Sequence, residues 1–217
     1  TPIPTSFFDS AKIIDIAAAA GFSLALDENF NVWSFGYNWN GALGLNSSTL
    51  FSQRTPRRIP SALFLNKKIV KIFAQFFTSF AIAEDHTVFT WGMTNYFSSA
   101  SVPGFTYVIA PTIVNITNSN SGGVVKIKQV AIGENHVLAL DTRGFVYAAG
   151  SNQQYQLGLG TEDLKVTNFT LIPTLRDITH IAVGREHSIA SRELGRSQVL
   201  VWGSNVSCAF LFFLPQL

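Results

Sequence analysis

The chain has 217 residues, of which 47% are hydrophobic and only 13% are charged, a composition that excludes general disorder. The length is enough for one or two domains with a sizeable core. The net charge of +2 is too small to indicate direct binding of nucleic acid, and a single cysteine, Cys208, excludes an intrachain disulfide framework. This cysteine usage favours an intracellular protein, in the cytoplasm or the nucleus.

Four segments along the chain share one layout, in which an aromatic and apolar run ends at a glycine and leads into a polar loop. The closing glycines are 56, 58 and 53 residues apart, at Gly36, Gly92, Gly150 and Gly203. Strand-like runs end 56, 58 and 51 residues apart, at 13–17, 69–73, 127–131 and 178–182. Acidic residues follow apolar runs at intervals of 57, at Asp27, Glu84 and Asp141. A period above about 50 residues predicts a solenoid, a propeller or an array.

The third repeat shows what each unit builds. The segments VVKIKQVAIG and HVLALD predict two strands, and TRG predicts a turn in which Gly144 can take a positive φ. FVYAAG predicts a third strand that pairs with its predecessor. TNFTLIPTL predicts a fourth, edge-like strand, because Pro173 cannot donate to a sheet ladder. Four short antiparallel strands per repeat are typical of a β-propeller blade, so the fold class is all-β.

The period divides the chain in order. Residues 1–11 are predicted to be a strand of a preceding blade, and the segments that follow are repeat 1 (12–66), repeat 2 with an insert at 115–123 (67–123), repeat 3 (124–177), a partial repeat 4 (178–207) and an apolar tail (208–217). The tail departs from the pattern and is interpreted as a truncation, an alternative splice end or a gene-model error. Its apolar run at 208–214 is far shorter than the roughly 20 residues of a membrane helix, so no membrane span is predicted.

Two kinds of motif carry a resemblance to a known family. VWSFGYNWNGALGL (32–45) and VYAAGSNQQYQLGLG (146–160) resemble the repeat of the regulator of chromosome condensation family, and GENH (133–136) and GREH (184–187) resemble its Gly-x-x-His element. The resemblance covers residues 2–207 and implies a β-propeller, usually of seven blades, of which about four are present. A fragment of such a ring is the favoured interpretation, and a closed four-bladed ring is the alternative. Kelch and WD repeats fit less well.

The match also departs from the family pattern. The second repeat has MTNYFSSASVPG where a Gly-x-Leu-Gly loop is expected. Phe22 and Ser79 are interpreted as standing where the later repeats have His136 and His187. The altered loop and Ser79 mark repeat 2 as degenerate.

Candidate site residues follow from the resemblance and from charge. The resemblance implies that His136, His187 and the nearby Asp141 lie toward a partner-contacting face, although a histidine that bonds backbone between blades is the alternative. Residues 54–71 hold six basic residues and no acid, which makes Arg57, Arg58, Lys67 and Lys68 candidates for contact with an acidic partner. The alternative is an ordinary edge strand protected by charge. Gly36, Gly92, Gly150 and Gly203 are predicted to serve turns.

No bond-making chemistry is visible in the motifs. The sequence has no phosphate loop, no Gly-x-Ser-x-Gly and no ligand spacing for a metal, so no catalytic residue, cofactor or metal is predicted. The favoured function is a protein-interaction propeller that binds a protein partner through its blade loops. The alternative is a guanine nucleotide exchange factor for a small Ras-like GTPase such as Ran, which would act by binding the nucleotide-free GTPase more tightly. No β-wedge, the insertion that the family's exchange factor uses, is identified here.

Overall fold

The computed structural model describes residues 3–94, 107–117, 123–193 and 195–204, and these form four antiparallel sheets. Blades 1 and 2 contain β1 (Ile13–Ala18), β2 (Phe22–Asp27), β3 (Val32–Tyr37), β4 (Ser52–Arg58), β5 (Ile69–Gln75), β6 (Thr78–Ala83), β7 (Val88–Met93) and β8 (Tyr107–Val114). Blades 3 and 4 contain β9 (Ile127–Ile132), β10 (His136–Asp141), β11 (Val146–Ser151), β12 (Lys165–Leu171), β13 (Ile178–Val183), β14 (His187–Glu193) and β15 (Ser197–Gly203). Each sheet is a simple meander, and blade 4 has three strands among the described residues. The predicted all-β propeller architecture is confirmed.

The blades pack side by side around their first strands. β1 contacts β5, β5 contacts β9 and β9 contacts β13, so these four strands form the inner layer. A separate apolar core fills each junction between neighbouring blades. Between blades 1 and 2 that core includes Leu24, Leu43, Phe64 and Trp91. A blade is therefore stabilised mainly by its neighbours, as expected when each unit buries its apolar faces by stacking.

This packing gives the molecule two opposite faces. We call one of them the histidine face, because His136 and His187 begin the second strands of blades 3 and 4 there. It carries the turns between first and second strands and the loops between third and fourth strands. The lysine face carries the hairpins between second and third strands and the connections between blades. Because successive strands run in opposite directions, a residue's place along its strand decides the face to which it belongs.

A positive-φ glycine ends the third strand of each blade. Gly36, Gly92, Gly150 and Gly203 have φ values of 112°, 88°, 121° and 104°. A Cβ at these positions would come within 2.1–2.6 Å of a backbone oxygen in the preceding turn of the same blade. A side chain is excluded there because rigid backbone leaves no room for it.

The prediction of a strand at residues 1–11 is wrong for the part that the structure describes. Thr5–Phe8 form a 3-10 turn, as Ser61–Phe64 do between blades 1 and 2. Proline precedes each turn, and a residue in the left-handed region ends it. Phe8 packs edge-on against Trp33, with ring centroids 5.6 Å apart. The segment is therefore a connection that leads into blade 1.

Strand pairing corrects two predictions about which residues occupy equivalent positions in different repeats. Ile13 pairs with Asp27, Ile69 with Ala83 and Ile127 with Asp141, so the counterpart of Asp27 in blade 2 is Ala83 and not Glu84. In the same way, the residue that faces Gly92 is Thr78 and not Ser79. The constant spacing of 57 between the acids was misleading, because the strand anchors are 56 residues apart and then 58.

Candidate protein-binding faces

His136 lies on the histidine face and is held between blades 3 and 4. Its ring is 1% exposed, and Nε2 lies 2.9 Å from the hydroxyl of Ser188 on blade 4. Ser188 donates its own proton to the carbonyl of Gln156 at 2.8 Å, so the hydroxyl accepts from the Nε2–H of His136. The Trp202 indole donates to the same carbonyl at 2.9 Å. This chain of hydrogen bonds ties blade 3 to blade 4.

Burial sets the protonation of this histidine. Desolvation, reinforced by the charge of His187, lowers the pKa of His136 to about 4. The ring is therefore neutral at neutral pH. Gly133 makes room for it, because a Cβ there would lie 2.6 Å from two ring atoms. The same crowding would arise between Gly184 and His187, which gives the Gly-x-x-His element a steric cause.

His187 takes the same place in blade 4 as His136 in blade 3, since each pairs with the glycine that ends the third strand. It is half-buried rather than sealed. Beside it, Arg185 forms an ion pair with Glu134 of blade 3. The histidine face at blades 3 and 4 is therefore polar and charged.

Asp141 lies at the other end of its strand, on the lysine face, and is buried. One carboxylate oxygen accepts from the backbone N–H groups of Arg143 and Phe145, and the other accepts from the Arg143 guanidinium. Asp27 organises the equivalent turn of blade 1 in the same way and also accepts from the Trp33 indole at 2.8 Å. Both carboxylates therefore form their hydrogen bonds within their own hairpins.

The basic candidates also lie away from the histidines. Lys67 and Lys68 are on the lysine face and pair with Asp85 and Glu84. The bond from Lys67 lowers the pKa of Asp85 to about 2. Arg57 and Arg58 are exposed near the end of β4, the outer strand of blade 1. The structure thus does not bring the predicted candidates together in one site.

A locking contact between blades was missed by the sequence analysis. In blade 1 the Asn38 side chain accepts from the N–H of Leu43 and donates to two loop carbonyls, which presents the carbonyl of Ala42 to blade 2. Ser79 and the Trp91 indole donate to that carbonyl. The same arrangement recurs between blades 3 and 4, where it is formed by Asn152, Gln156, Ser188 and Trp202.

We call this set of an asparagine, a serine and a tryptophan the lock. Its three residues occur together at the junctions of blades 1–2 and 3–4, and all three are replaced at the junction of blades 2–3. Blade 2 has Thr94 in the place of the loop asparagine, and blade 3 has Val137 and Ala149 in the places of the serine and the tryptophan. The signal was available in the sequence, because a Trp-Gly strand end follows each complete Asn…Leu-Gly loop. The loops between third and fourth strands are therefore used in part to hold neighbouring blades together.

An aromatic patch on the histidine face was also missed. Tyr37 and Trp39 stack with centroids 5.0 Å apart, Phe51 meets Tyr37 edge-on at 5.8 Å, and Phe77 of blade 2 meets Trp39 at 5.5 Å. Tyr37, Trp39 and Phe51 are 45%, 44% and 66% exposed. The available signal was a tryptophan between two asparagines, a residue type that turns do not require. We call Tyr37, Trp39, Phe51 and Phe77 the aromatic patch.

Neither a metal centre nor a spanning helix occurs in the part of the chain that the structure describes. No three His, Cys, Asp or Glu side chains there lie close enough to share an ion. No helix there has the length and apolar character needed to cross a bilayer. Three sequence predictions fall on residues outside the described ranges: the apolar tail at 208–217, most of the degenerate loop of repeat 2 (95–104 of 93–104) and the middle of its insert (118–122).

Comparison with protein families returns one repeat type. The model described as "Regulator of chromosome condensation (RCC1) repeat" matches residues 31–81 and 143–191, and a second model of the same description matches 127–156. Together these ranges cover more than half of the chain and fall in blades 1 to 4.

Individual relatives agree with this result. The chain is 31% identical to "Guanine nucleotide exchange factor SRM1" of Saccharomyces cerevisiae, over 91% of the chain and 46% of that protein. It superposes on the structure of Prp20p from Saccharomyces cerevisiae, described with its binding to Gsp1p and histones, with a TM-score of 0.74, 32% identity, and coverage of 93% of this chain and 46% of the other. Human WBSCR16 gives a TM-score of 0.77 at 23% identity, covering 90% and 48% of the two chains, and supports the fold alone. The chain spans about half the length of these relatives.

Proposed function

Because this chain belongs to the regulator of chromosome condensation (RCC1) repeat family, we propose that it is a protein-interaction propeller that binds a protein partner through its histidine face. The observation that carries this proposal is the distribution of exposed aromatic residues. All the exposed Trp and Tyr side chains in the described ranges lie on the histidine face, at Tyr37, Trp39, Tyr107 and Tyr155. Trp and Tyr are the residues most enriched at the energetic centres of protein interfaces.

The sequence-predicted candidates take different parts in this proposal. His187, beside the Arg185–Glu134 ion pair, is a contact candidate on the binding face. His136 and Asp141 support the fold that presents this face, since each is buried and bonded within the propeller. Lys67 and Lys68 lie on the opposite face, in pairs with acids.

Site-specific photocrosslinking tests the proposed face. A benzophenone amino acid is placed at Trp39 or Tyr155 on the histidine face, and at Leu65 or Val124 on the lysine face, where the native side chains are similarly exposed. We expect the histidine-face probes to give a discrete crosslinked protein in cells and the lysine-face probes to give none. Crosslinks from the lysine face alone would contradict the proposal.

Guanine nucleotide exchange on a Ras-like GTPase such as Ran is the second candidate. The observation that favours it is the printed name of the relative that is 31% identical. Exchange requires no bond chemistry, because a protein that binds the nucleotide-free GTPase more tightly than the loaded form accelerates nucleotide release. The bonding of His136 and Asp141 within the propeller is compatible with such a mechanism, which needs no group that makes or breaks bonds.

Release of fluorescent GDP from Ran tests this second function. We expect the chain to accelerate release, His187→Ala and Trp39→Ala to reduce the acceleration, and Leu65→Ala on the opposite face to leave it unchanged. No acceleration by a folded, monomeric sample would remove exchange and leave the binding function. The single cysteine and a partner of this kind both favour a cytoplasmic or nuclear location, which imaging of a tagged chain would check.

A further inference from the structure

Charge is distributed unevenly around blade 1. Between Glu28 and Glu84 the chain has six basic residues and no acidic residue. Lys67 and Lys68 are paired with acids, and Lys71 donates to the carbonyl of Lys128 at 3.0 Å. The other three bases are all on β4, are exposed, and form no ion pair with any described residue: Arg54, Arg57 and Arg58. The outer strand of blade 1 is therefore a line of positive charge without a partner in the described fold.

The aromatic patch lies at the start of this line. A cavity of about 340 Å³ is lined by Tyr37, Phe51, Ser52, Gln53 and Arg54, together with Gly21 and Gly36. No acidic residue lines it. Gly21 leaves room for the ring of Tyr37, because a Cβ there would lie 3.1 Å from that ring. The cavity thus combines aromatic walls with one guanidinium.

We propose that this surface binds an acidic segment of a protein partner, and that the segment itself contains an apolar side chain. The surface consists of the aromatic patch and Arg54, and it continues along β4 to Arg57 and Arg58. This inference rests on the proposed function and names the chemistry of the partner. The apolar side chain would enter the cavity beside Phe51 and Tyr37, and carboxylates would pair with the arginines through bidentate hydrogen bonds. Exposed ion pairs contribute little each, so aromatic burial supplies most of the affinity and charge supplies selectivity.

The shape of β4 limits how a partner can bind along it. Arg54 and Arg57 lie where β4 bulges, because Gly36 pairs with Gln53 and Ser34 with Arg57, so four residue steps on β4 face two on β3. Pro56 between them has no N–H, so the partner cannot add a regular strand along the whole of this edge. Side chains therefore carry the recognition, and acidic groups on both sides of the partner's apolar residue can reach the arginines.

The same charges could attract single-stranded nucleic acid, but the aromatic geometry favours a peptide. Base stacking requires open ring faces. Tyr37 and Trp39 each use one face on the other, at an interplanar angle of 9°, and Phe51 and Phe77 contact the same pair at steep angles. Few open faces remain, whereas ring edges and the cavity suit an aliphatic or aromatic side chain.

Fluorescence polarisation with defined probes tests the inference on the full chain. The first probe is the labelled peptide Glu-Asp-Leu-Phe-Asp-Glu, the second has Lys in place of each acid, the third has Ser in place of Leu and Phe, and the fourth is a ten-nucleotide oligothymidine. We expect the acidic apolar peptide to bind at least about tenfold more tightly than the other three.

Variants link this preference to the site. Arg54→Glu should weaken the acidic peptide about tenfold or more and strengthen the lysine peptide, and Trp39→Ala should weaken the acidic peptide without reversing the preference. Leu65→Ala, an exposed apolar residue on the opposite face, should change nothing. Circular dichroism confirms that each variant is folded. Equal binding of the acidic and lysine peptides, or tighter binding of oligothymidine, would overturn the inference.

The two proposals fail in different ways. If Trp39 crosslinks a cellular protein while the peptides show no charge preference, the binding face stands and the acidic-segment inference is overturned. If the peptide preference and its reversal by Arg54→Glu hold while crosslinks arise only from the lysine face, the site stands and its role as the main partner face is overturned.

Discussion

At the scale of single residues, the packing of His136 explains both its sequence motif and its protonation state. Its ring occupies the space left by Gly133 and donates across the blade junction to Ser188. It remains neutral because burial lowers its pKa from 6.5 to about 4. The unfolded chain therefore binds a proton between these two pH values that the folded chain excludes.

This difference makes stability depend on pH. The contribution is fully present above pH 6.5 and is lost as the pH falls toward 4, to a total of roughly 3 kcal/mol. His136→Gln should remove this part of the slope of unfolding free energy, measured by urea denaturation between pH 4 and 8. The exposed His180→Gln serves as the matched control. An unchanged slope in His136→Gln would show that the ring is not held neutral.

At the scale of elements, the loop between third and fourth strands joins one blade to the next. Its Asn38 side chain shapes the loop, and Gly44 lets the Trp91 indole approach. Gly44 has a φ of 67°, and a Cβ there would lie 2.7 Å from the indole nitrogen. Gly160 has nearly the same φ, 68°, but nothing within 4 Å. Substitutions at these two glycines therefore impose the same backbone strain, but only the one at Gly44 also crowds a neighbouring side chain.

Gly160→Ala should cost about 1–2 kcal/mol, the strain of a left-handed alanine. Gly44→Ala should cost about 1–3 kcal/mol more, because Trp91 must shift in a packed junction. Guanidinium denaturation of the two variants measures the difference. Equal losses would mean that the junction yields freely and that the lock contributes little to stability.

At the scale of the whole molecule, the first and last described strands expose apolar side chains. Ile14 and Ile16 on β1 are 50% and 76% exposed, and Val199 on β15 is 66% exposed. Exposed apolar surface of this kind favours association. We expect the chain to self-associate with rising concentration in sedimentation velocity, and Ile14→Ser with Ile16→Ser to reduce this. Leu65→Ser is the control, and an equal effect from it would point to non-specific aggregation.

Much of the fold could be predicted from local pattern. The strand alternation, the Gly144 turn and the strand-ending glycines depend on residues close in sequence, and each is found in the structure. The alignment by acids failed at Glu84, because a one-residue change in repeat length is invisible without strand register. The N-terminal segment was assigned to a strand, although its proline and buried Phe8 match the connection at Pro60 and Phe64.

The sequence by itself determined the repeat, its four-stranded unit and its family, because these follow from periodic residues whose roles are steric and local. Only the tertiary structure decided which candidates share a surface. His136 depends on Ser188, 52 residues away, and Asp141 and the lysines lie on the face opposite to the histidines. The aromatic patch likewise forms because a loop of blade 1 meets a turn of blade 2. Such contacts arise from blade packing, which places residues distant in sequence beside one another.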